Sequence, residues 1–282
     1  MKQDYKSIEL ENDDIEVKLL LDAMYLKYGY DFSGYSRAHI KRRIDRRRVI
    51  SGLNNVLEMI DHVLNDRSFF EKLLMDFSIN ITEMFRDPSF YKAFRDEVVP
   101  VLKTYPFIKI WHAGCSTGEE VYSMAILLKE AGLLERSQLY ATDFNKVVLE
   151  KAKEGIYPID EIKEYTYNYQ KSGGLAAFSD YYIAKYDSVI LDQCLKKKII
   201  FVDHNLVTDG VFGEMHVVVC RNVLIYFGTD LQNRVVKLFT DSLTAGGFLC
   251  LGSKESLKYT SSNDRYISVV EKERIYRMKL SL

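Results

Sequence analysis

Two stretches carry residue types that could do chemistry together. The first is Ala113-Gly114-Cys115-Ser116-Thr117-Gly118-Glu119-Glu120, a small-residue turn with two glycines that runs into paired acids. The second is Ala141-Thr142-Asp143, an acid closing an apolar run. A turn nearly free of side chains lets backbone N–H groups approach a polar ligand. A carboxylate roughly 20 residues beyond it is placed to accept both hydroxyls of a ribose. The G-x-G-x-x-G spacing of a dinucleotide site is absent, and no Lys follows the second glycine as it would in a P-loop. The ligand is therefore best read as a nucleoside without a phosphate chain, and S-adenosyl-L-methionine (SAM) fits that description.

Other polar residues fall where polar residues need a reason. Arg221 and Asn222 directly follow Met215-His216-Val217-Val218-Val219-Cys220, an apolar strand, and burying them is costly unless they are paired. Asn80, Thr82 and Arg86 alternate at strand-like spacing, which would point all three the same way. Arg37, Lys41, Arg42, Arg43, Arg46, Arg47 and Arg48 crowd one segment that also holds Ile40, Ile44, Val49 and Ile50. That is more positive charge than a solvated face usually holds. It reads as a docking surface for a polyanion, either an acidic protein or nucleic acid.

The elements that must position these residues follow from periodicity. Residues 107–113 read as a buried strand and a helix begins near Glu119, with Met124, Leu127 and Leu128 at helical spacing. Strand, glycine turn and helix form the first unit of a doubly wound, Rossmann-like α/β sheet. Further strands are expected at 138–143, 199–203, 215–220 and 248–251, with a closing hairpin at 266–270 and 274–278. Asn145 is placed to cap a helix through Lys153. Four helices, the first capped by Asp14 with Ile15, Leu19, Leu20, Ala23 and Leu26 on one face, make a small all-helical N-terminal domain over residues 1–78. Residues 79–106 form a linker and helix, with Pro88 in its first turn. The main domain spans residues 107–282. Residues 156–198 interrupt its strand–helix alternation with a tyrosine-rich β insert, whose tyrosines serve either partner contacts or the edge of the sheet.

Bulk properties bound the answer. The chain has 282 residues, 47% of them hydrophobic, enough for a large core. Its formal net charge of -1 argues against a protein built wholly to coat nucleic acid. The four cysteines show no C-x-x-C spacing, so neither a zinc site nor a disulfide framework is expected. No signal peptide opens the chain and no apolar run is long enough to span a membrane. A reducing cytoplasm is the expected compartment.

With these pieces placed, the chain resembles the CheR-type chemotaxis receptor methyltransferases, SAM-dependent enzymes that methylate receptor glutamates. The matching residues are Asn80-Ile81-Thr82-Glu83-Met84-Phe85-Arg86, the turn from Ala113 to Glu120, Ala141-Thr142-Asp143, Asn205-Leu206, and Cys220-Arg221-Asn222-Val223-Leu224-Ile225-Tyr226-Phe227. Departures are Met84 for a usual Phe, Gly114 for a common Ala and Val121 for a common Pro. The resemblance implies that Asn80, Thr82 and Arg86 lie along SAM. Glu119 would contact its methionine end, Asp143 its ribose, and Asn205 and Leu206 its adenine. Arg221 and Asn222 would line the methyl-donor side. Arg86 and Tyr226 become the candidates for orienting the incoming carboxylate, with S-adenosyl-L-homocysteine as product and no metal. Arg37, Lys41, Arg43 and Arg47 would dock the cytoplasmic helical domain of methyl-accepting chemoreceptors. The β insert is where some family members grip a receptor-tail peptide. Two alternatives remain open at this point: a methyltransferase that uses the basic helix on nucleic acid, and a non-catalytic SAM-binding regulator.

Overall fold

A computed structural model describes residues 12–78 and 82–280. The chain divides into two compact units, Met1–Ile79 and Asn80–Leu282.

The first unit is four helices: α1 (Asn12–Tyr28), α2 (Arg37–Ile50), α3 (Val56–Asn65) and α4 (Arg67–Ser78). Gly29 ends α1 at φ 81°, a conformation glycine adopts without strain. Asn55 caps α3 by accepting from the Glu58 N–H at 2.9 Å. The face of α1 that is buried carries Val17, Leu20 and Met24, while Ile15, Leu19 and Leu26 are exposed. Of the expected face Leu20 is buried and Ala23 half-buried, but the buried stripe runs through Val17 and Met24 rather than Ile15, Leu19 and Leu26. Asp14 is likewise not a cap. It lies in the first turn of α1 and pairs with Arg37 at 3.2 Å and Lys41 at 2.7 Å.

Those pairs change the reading of α2. Arg37 and Lys41 are engaged by Asp14, and Arg47 is bound to Asp76 of α4 at 2.5 Å with both side chains largely covered. Arg43 is half-buried, with its Nε shielded from solvent. The exposed guanidiniums are Arg37, Arg42 and Arg46. Arg47 is thus a brace between α2 and α4 rather than part of a docking face.

The second unit opens with α5 (Pro88–Ala93) and α6 (Val99–Leu102), joined by a π turn at Phe94–Val98 just before Pro100, which has no N–H to continue a regular ladder. The main sheet then alternates with helices. It contains β1 (Ile108–Ala113), α7 (Glu119–Glu130), β2 (Ser137–Asp143) and α8 (Lys146–Glu154). An insert holds β3 (Ile156–Pro158), α9 (Ile162–Lys171), β4 (Tyr182–Lys185), β5 (Ser188–Leu191) and α10 (Gln193–Lys196). The chain returns with β6 (Ile199–Asp203), β7 (Met215–Cys220), α11 (Thr229–Ser242), β8 (Leu243–Leu251), β9 (Tyr266–Val270) and β10 (Ile275–Met278).

Seven strands form the sheet in the order β6-β2-β1-β7-β8-β10-β9. The first five are mutually parallel, and β10 pairs antiparallel with β8 and β9. This is the doubly wound sheet with a closing hairpin. Its central strands read as continuous apolar runs because both faces are covered. Trp111, fully buried on β1, donates from its indole N–H to Thr142 Oγ1 of β2 at 2.9 Å. The insert is a separate three-stranded sheet, β3-β5-β4. It is tied to α7 through Glu130, whose carboxylate accepts from the Tyr169 and Tyr181 hydroxyls and pairs with Arg95. These tyrosines are interior, whereas Tyr167 and Tyr186 are exposed.

Removing one side of the Arg47–Asp76 brace leaves the other charge largely covered. Arg47→Ala should lower the unfolding free energy by on the order of 2–3 kcal/mol, measured by urea denaturation, whereas Arg46→Ala should change it little.

Candidate active site

The candidate residues gather at the C-terminal ends of β1, β2, β6, β7 and β8, where parallel sheets of this kind bind ligands. After Ala113 the chain turns through Gly114 (φ 79°), Ser116 (φ 51°) and Gly118 (φ 96°) before entering α7. The Gly114 and Cys115 N–H groups donate back to the Thr142 carbonyl at 2.8 and 2.9 Å, so the turn folds over the end of β2. A Cβ on Gly114 would lie 2.6 Å from Val223 Cγ2, and one on Gly118 would lie 3.0 Å from Ala152 Cβ. Both glycines therefore serve close packing as well as backbone freedom. Gly114 in place of Ala is matched by Val223, which fills the space. The Tyr157 hydroxyl of β3 donates to the Thr117 carbonyl at 2.8 Å, so the insert also steadies the turn.

Two buried carboxylates border the turn. Asp143 accepts the Ser116 N–H on Oδ2 at 2.9 Å and the Asn145 N–H on Oδ1 at 3.0 Å. The Phe144 N–H also acts on this carboxylate, and its remaining acceptor capacity is what a ribose hydroxyl would use. Burial pushes its carboxyl up to about 6, against the pull of the Asn145, Ser116 and Phe144 N–H groups. Glu119, first residue of α7 and 5% exposed, takes the Thr117 hydroxyl on its carboxylate at 2.8–2.9 Å. Burial raises it to about 7. Asn145 caps α8 by accepting from the Val147 N–H.

Beside Asp143, the end of β6 pairs Asp203 with it in register, and the His204 N–H reaches the Asp143 carbonyl at 3.3 Å. Asn205 and Leu206 follow. The Asn205 side chain accepts from the Val207 N–H at 2.9 Å, forming a tight turn, and Leu206 is buried. The structure thus brings Asn205 and Leu206 next to the proposed ribose carboxylate.

The segment before α5 departs from the expected alternation. Phe85 (φ 54°) and Asp87 (φ 57°) are left-handed, so residues 84–87 turn and do not run as a strand. The Phe85 N–H donates to Ser123 Oγ at 2.8 Å, and Asn168 donates to the Met84 carbonyl at 3.3 Å. Thr82 and Arg86 are half-buried, and Asn80 lies outside the described residues.

Arg221 is tied into the protein by several bonds. Its side chain is 2% exposed and donates to Asp87 Oδ2 at 2.8 Å, Glu120 Oε2 at 3.2 Å and the Arg86 carbonyl at 3.1 Å, with its guanidinium carbon 4.1 Å from the centre of the Phe90 ring. Glu120 also bonds His112 Nδ1 at 2.9 Å. Although burial opposes its ionisation, His112 and Arg221 hold the Glu120 carboxyl below its ordinary value. Arg221 therefore holds the turn that carries Arg86 through its two terminal nitrogens, while its buried Nε has no hydrogen-bond partner among the described residues. Asn222, at φ 62°, and Tyr226, at the end of a 3₁₀ turn over Leu224–Tyr226, are half-buried at the same rim.

Sequence reasoning missed Glu255, a 4% exposed carboxylate that accepts the backbone N–H groups of Gly252, Asn222, Val223 and Ile225. The available signal was its place, three residues after a glycine that ends an apolar strand.

The donor set fits an adenosyl sulfonium amino acid: buried acids for an ammonium and a diol, a packed glycine turn, and no phosphate cradle. The family model for the CheR methyltransferase SAM-binding domain matches residues 80–275. The chain belongs to the CheR methyltransferase family. The family's all-alpha domain matches residues 15–78. A Pseudomonas putida protein named as methyltransferase Cher3 is 51% identical over 266 residues, covering 94% of this chain and 97% of that protein. A Listeria innocua chemotaxis protein methyltransferase is 29% identical over 231 residues, covering 81% and 85%. One from Borreliella burgdorferi is 28% identical over 259 residues, covering 86% and 88%. The protein is a SAM-dependent methyltransferase of chemotaxis, and the regulator and nucleic-acid alternatives give way to that assignment.

To take the roles that the resemblance implies, Glu119 on the methionine end and Asp143 on the ribose, both carboxylates would have to be ionised. SAM affinity, measured by calorimetry, should weaken as pH falls from about 8 through the values near 7 and 6. Glu119→Gln should weaken binding by roughly tenfold at pH 8 and flatten the upper part of that dependence. The stability effect has the opposite sign. Because Glu119 is raised above its ordinary value of 4.5, its contribution to the stability of the ligand-free protein falls as pH rises towards about 7. At pH 8 the ligand-free Glu119→Gln protein should melt no lower than wild type.

Proposed function

We propose that the protein converts glutamate side chains on the cytoplasmic helices of chemoreceptors to γ-methyl esters. The observation that supports this reading most directly is the Arg221 lock on residues 86–87, which fixes the Arg86 backbone and the Asp87 carboxylate at the C-terminal rim of the sheet. The relatives' names, chemotaxis protein methyltransferase, point to the same substrate class.

SAM supplies an electrophilic methyl group on a sulfonium. A glutamate carboxylate with a free pKa of about 4.3 is already ionised at neutral pH, so its attack needs no base. The histidines at this end of the sheet are engaged inside the core. His112 is bonded to Glu120, while His204 contacts the Gly210 carbonyl at 3.1 Å and packs edge-on against Trp111. What the chain must do is strip water from the carboxylate and align it, and alignment can lower a barrier by on the order of 7–11 kcal/mol. Arg86 and Tyr226 orient the acceptor. Thr82, Glu119, Asp143, Asn205, Leu206 and Asn222 hold the donor, and we extend that role to Asn80. Opposite charges cancel as the methyl moves, so a cation that gripped the carboxylate tightly would favour the ground state and slow transfer. Arg86 is therefore a light contact shared with the donor.

Substrate docking falls to the exposed guanidiniums of α2, with Arg42 and Arg46 taking the place first given to Arg43 and Arg47. The insert's edge strand β4, with Ile183 and Tyr186 exposed beside it, offers a receptor-tail peptide an unpaired strand edge. No helix among the described residues is long and apolar enough to cross a membrane, and we place the enzyme in the cytoplasm beside receptor tails.

Incubation with methyl-labelled SAM and receptor-bearing membranes should yield label released as methanol in base, since esters hydrolyse and N-methyl groups do not. Arg86→Ala and Tyr226→Phe should each lower turnover at saturating SAM by roughly tenfold or more, and wild-type turnover in both would remove their assignment. Charge reversal at Arg42 and Arg46 should raise KM for receptor at low salt and leave SAM affinity unchanged.

A further inference from the structure

Strands β7 and β8 run in continuous register from the pair Val217 and Phe248 to the pair Cys220 and Leu251. Beyond that pair the chain parts, with Asn222 entering the left-handed region and Gly252 leading into a loop. The gap is closed by one side chain. Glu255 Oε2 accepts from the Gly252 N–H at 2.6 Å and the Asn222 N–H at 3.1 Å, and Oε1 accepts from Val223 at 2.9 Å and Ile225 at 3.3 Å. All four donors are backbone, and three of them belong to the segment between Arg221 and Tyr226. Gly252 is part of the device, because a Cβ there would lie 2.8 Å from the Asn222 nitrogen and 2.9 Å from Glu255 Oε2.

We propose that Glu255 is a positioning residue for methyl transfer: its carboxylate fixes the backbone between Asn222 and Tyr226 and so sets where the Tyr226 side chain stands. This rests on the reading that Tyr226 faces the transfer site. A carboxylate is the one side chain with two acceptor oxygens side by side and no donor, which four converging N–H groups require. A glutamine of the same size would turn an NH2 group against two of them, whichever way its amide is flipped.

The test is a double-mutant cycle in the full chain. Glu255→Gln should retain the wild-type circular dichroism spectrum and lower kcat at saturating SAM and receptor by roughly tenfold to a hundredfold. In a Tyr226→Phe background the same change should cost less than about threefold, because its effect runs through Tyr226. A residue that merely supports the fold would lower the melting temperature and leave turnover per folded molecule intact. The proposal is overturned if Glu255→Gln turns over within about twofold of wild type, or if the two losses multiply in full. Should Glu255→Gln fail to fold, Gly252→Ala enters the same cycle with the same two outcomes, since it keeps the carboxylate but crowds it. A wild type that forms no base-labile ester overturns the reaction itself and Tyr226's role with it. A wild type that forms the ester beside an indifferent Glu255→Gln overturns Glu255 alone.

Discussion

Parallel strands that leave a sheet towards different helices must part, and the parting strips backbone N–H groups of their ladder partners inside the protein. An unpaired buried amide costs on the order of 1–3 kcal/mol. Here buried carboxylates supply the missing acceptors. Asp143 takes the Ser116 and Asn145 N–H groups where the first turn folds over β2, and Glu255 takes four N–H groups where β7 and β8 separate. The crevice proposed to receive the cofactor is thus bounded by acids that also hold the backbone in place. Asp143 accepts from fewer backbone donors than Glu255 and keeps acceptor capacity for a ligand. Glu255, with four donors on its two oxygens, has none, and its place is in the scaffold.

The same reasoning separates the two charged groups next to the strand ends. Arg221 lies inside the protein, and its charge is tolerable because Asp87 and Glu120 answer it and Phe90 stacks beneath it. Glu120 in turn is shared with His112. The network joins β1, α7, β7 and the turn at residues 84–87, so an element far from the sheet in sequence is fixed at its rim. Among the described residues Glu119 is bonded by the Thr117 hydroxyl and a backbone N–H and by no cation. An acid raised to about 7 by burial, with spare acceptor capacity, is suited to an incoming ammonium.

The helical unit shows how charge count misleads. Seven basic residues on α2 suggest one broad docking face, yet Arg37 and Lys41 are drawn to Asp14 of α1 and Arg47 to Asp76 of α4. Part of the basic helix is thus mortar between helices. The charge available to an acidic partner is concentrated at Arg42 and Arg46, with Arg37 partly neutralised.

The amino-acid sequence determined the elements whose signal is local. Apolar runs marked β1, β2 and β7, Asn145 marked the start of α8, and the glycine turn before Glu119 marked the strand–turn–helix unit at the head of the sheet. These survive because strand burial, capping and tight turns depend on residues a few positions apart. What required the tertiary structure was every assignment made across distance. The buried stripe of α1, the partners of Arg47, the left-handed turns at Phe85 and Asp87, and the interior role of Arg221 depend on residues up to 135 positions away. Glu255 shows the limit most plainly. In sequence it is one acid among 40 Asp and Glu residues, and only the folded chain brings four orphaned amides around it.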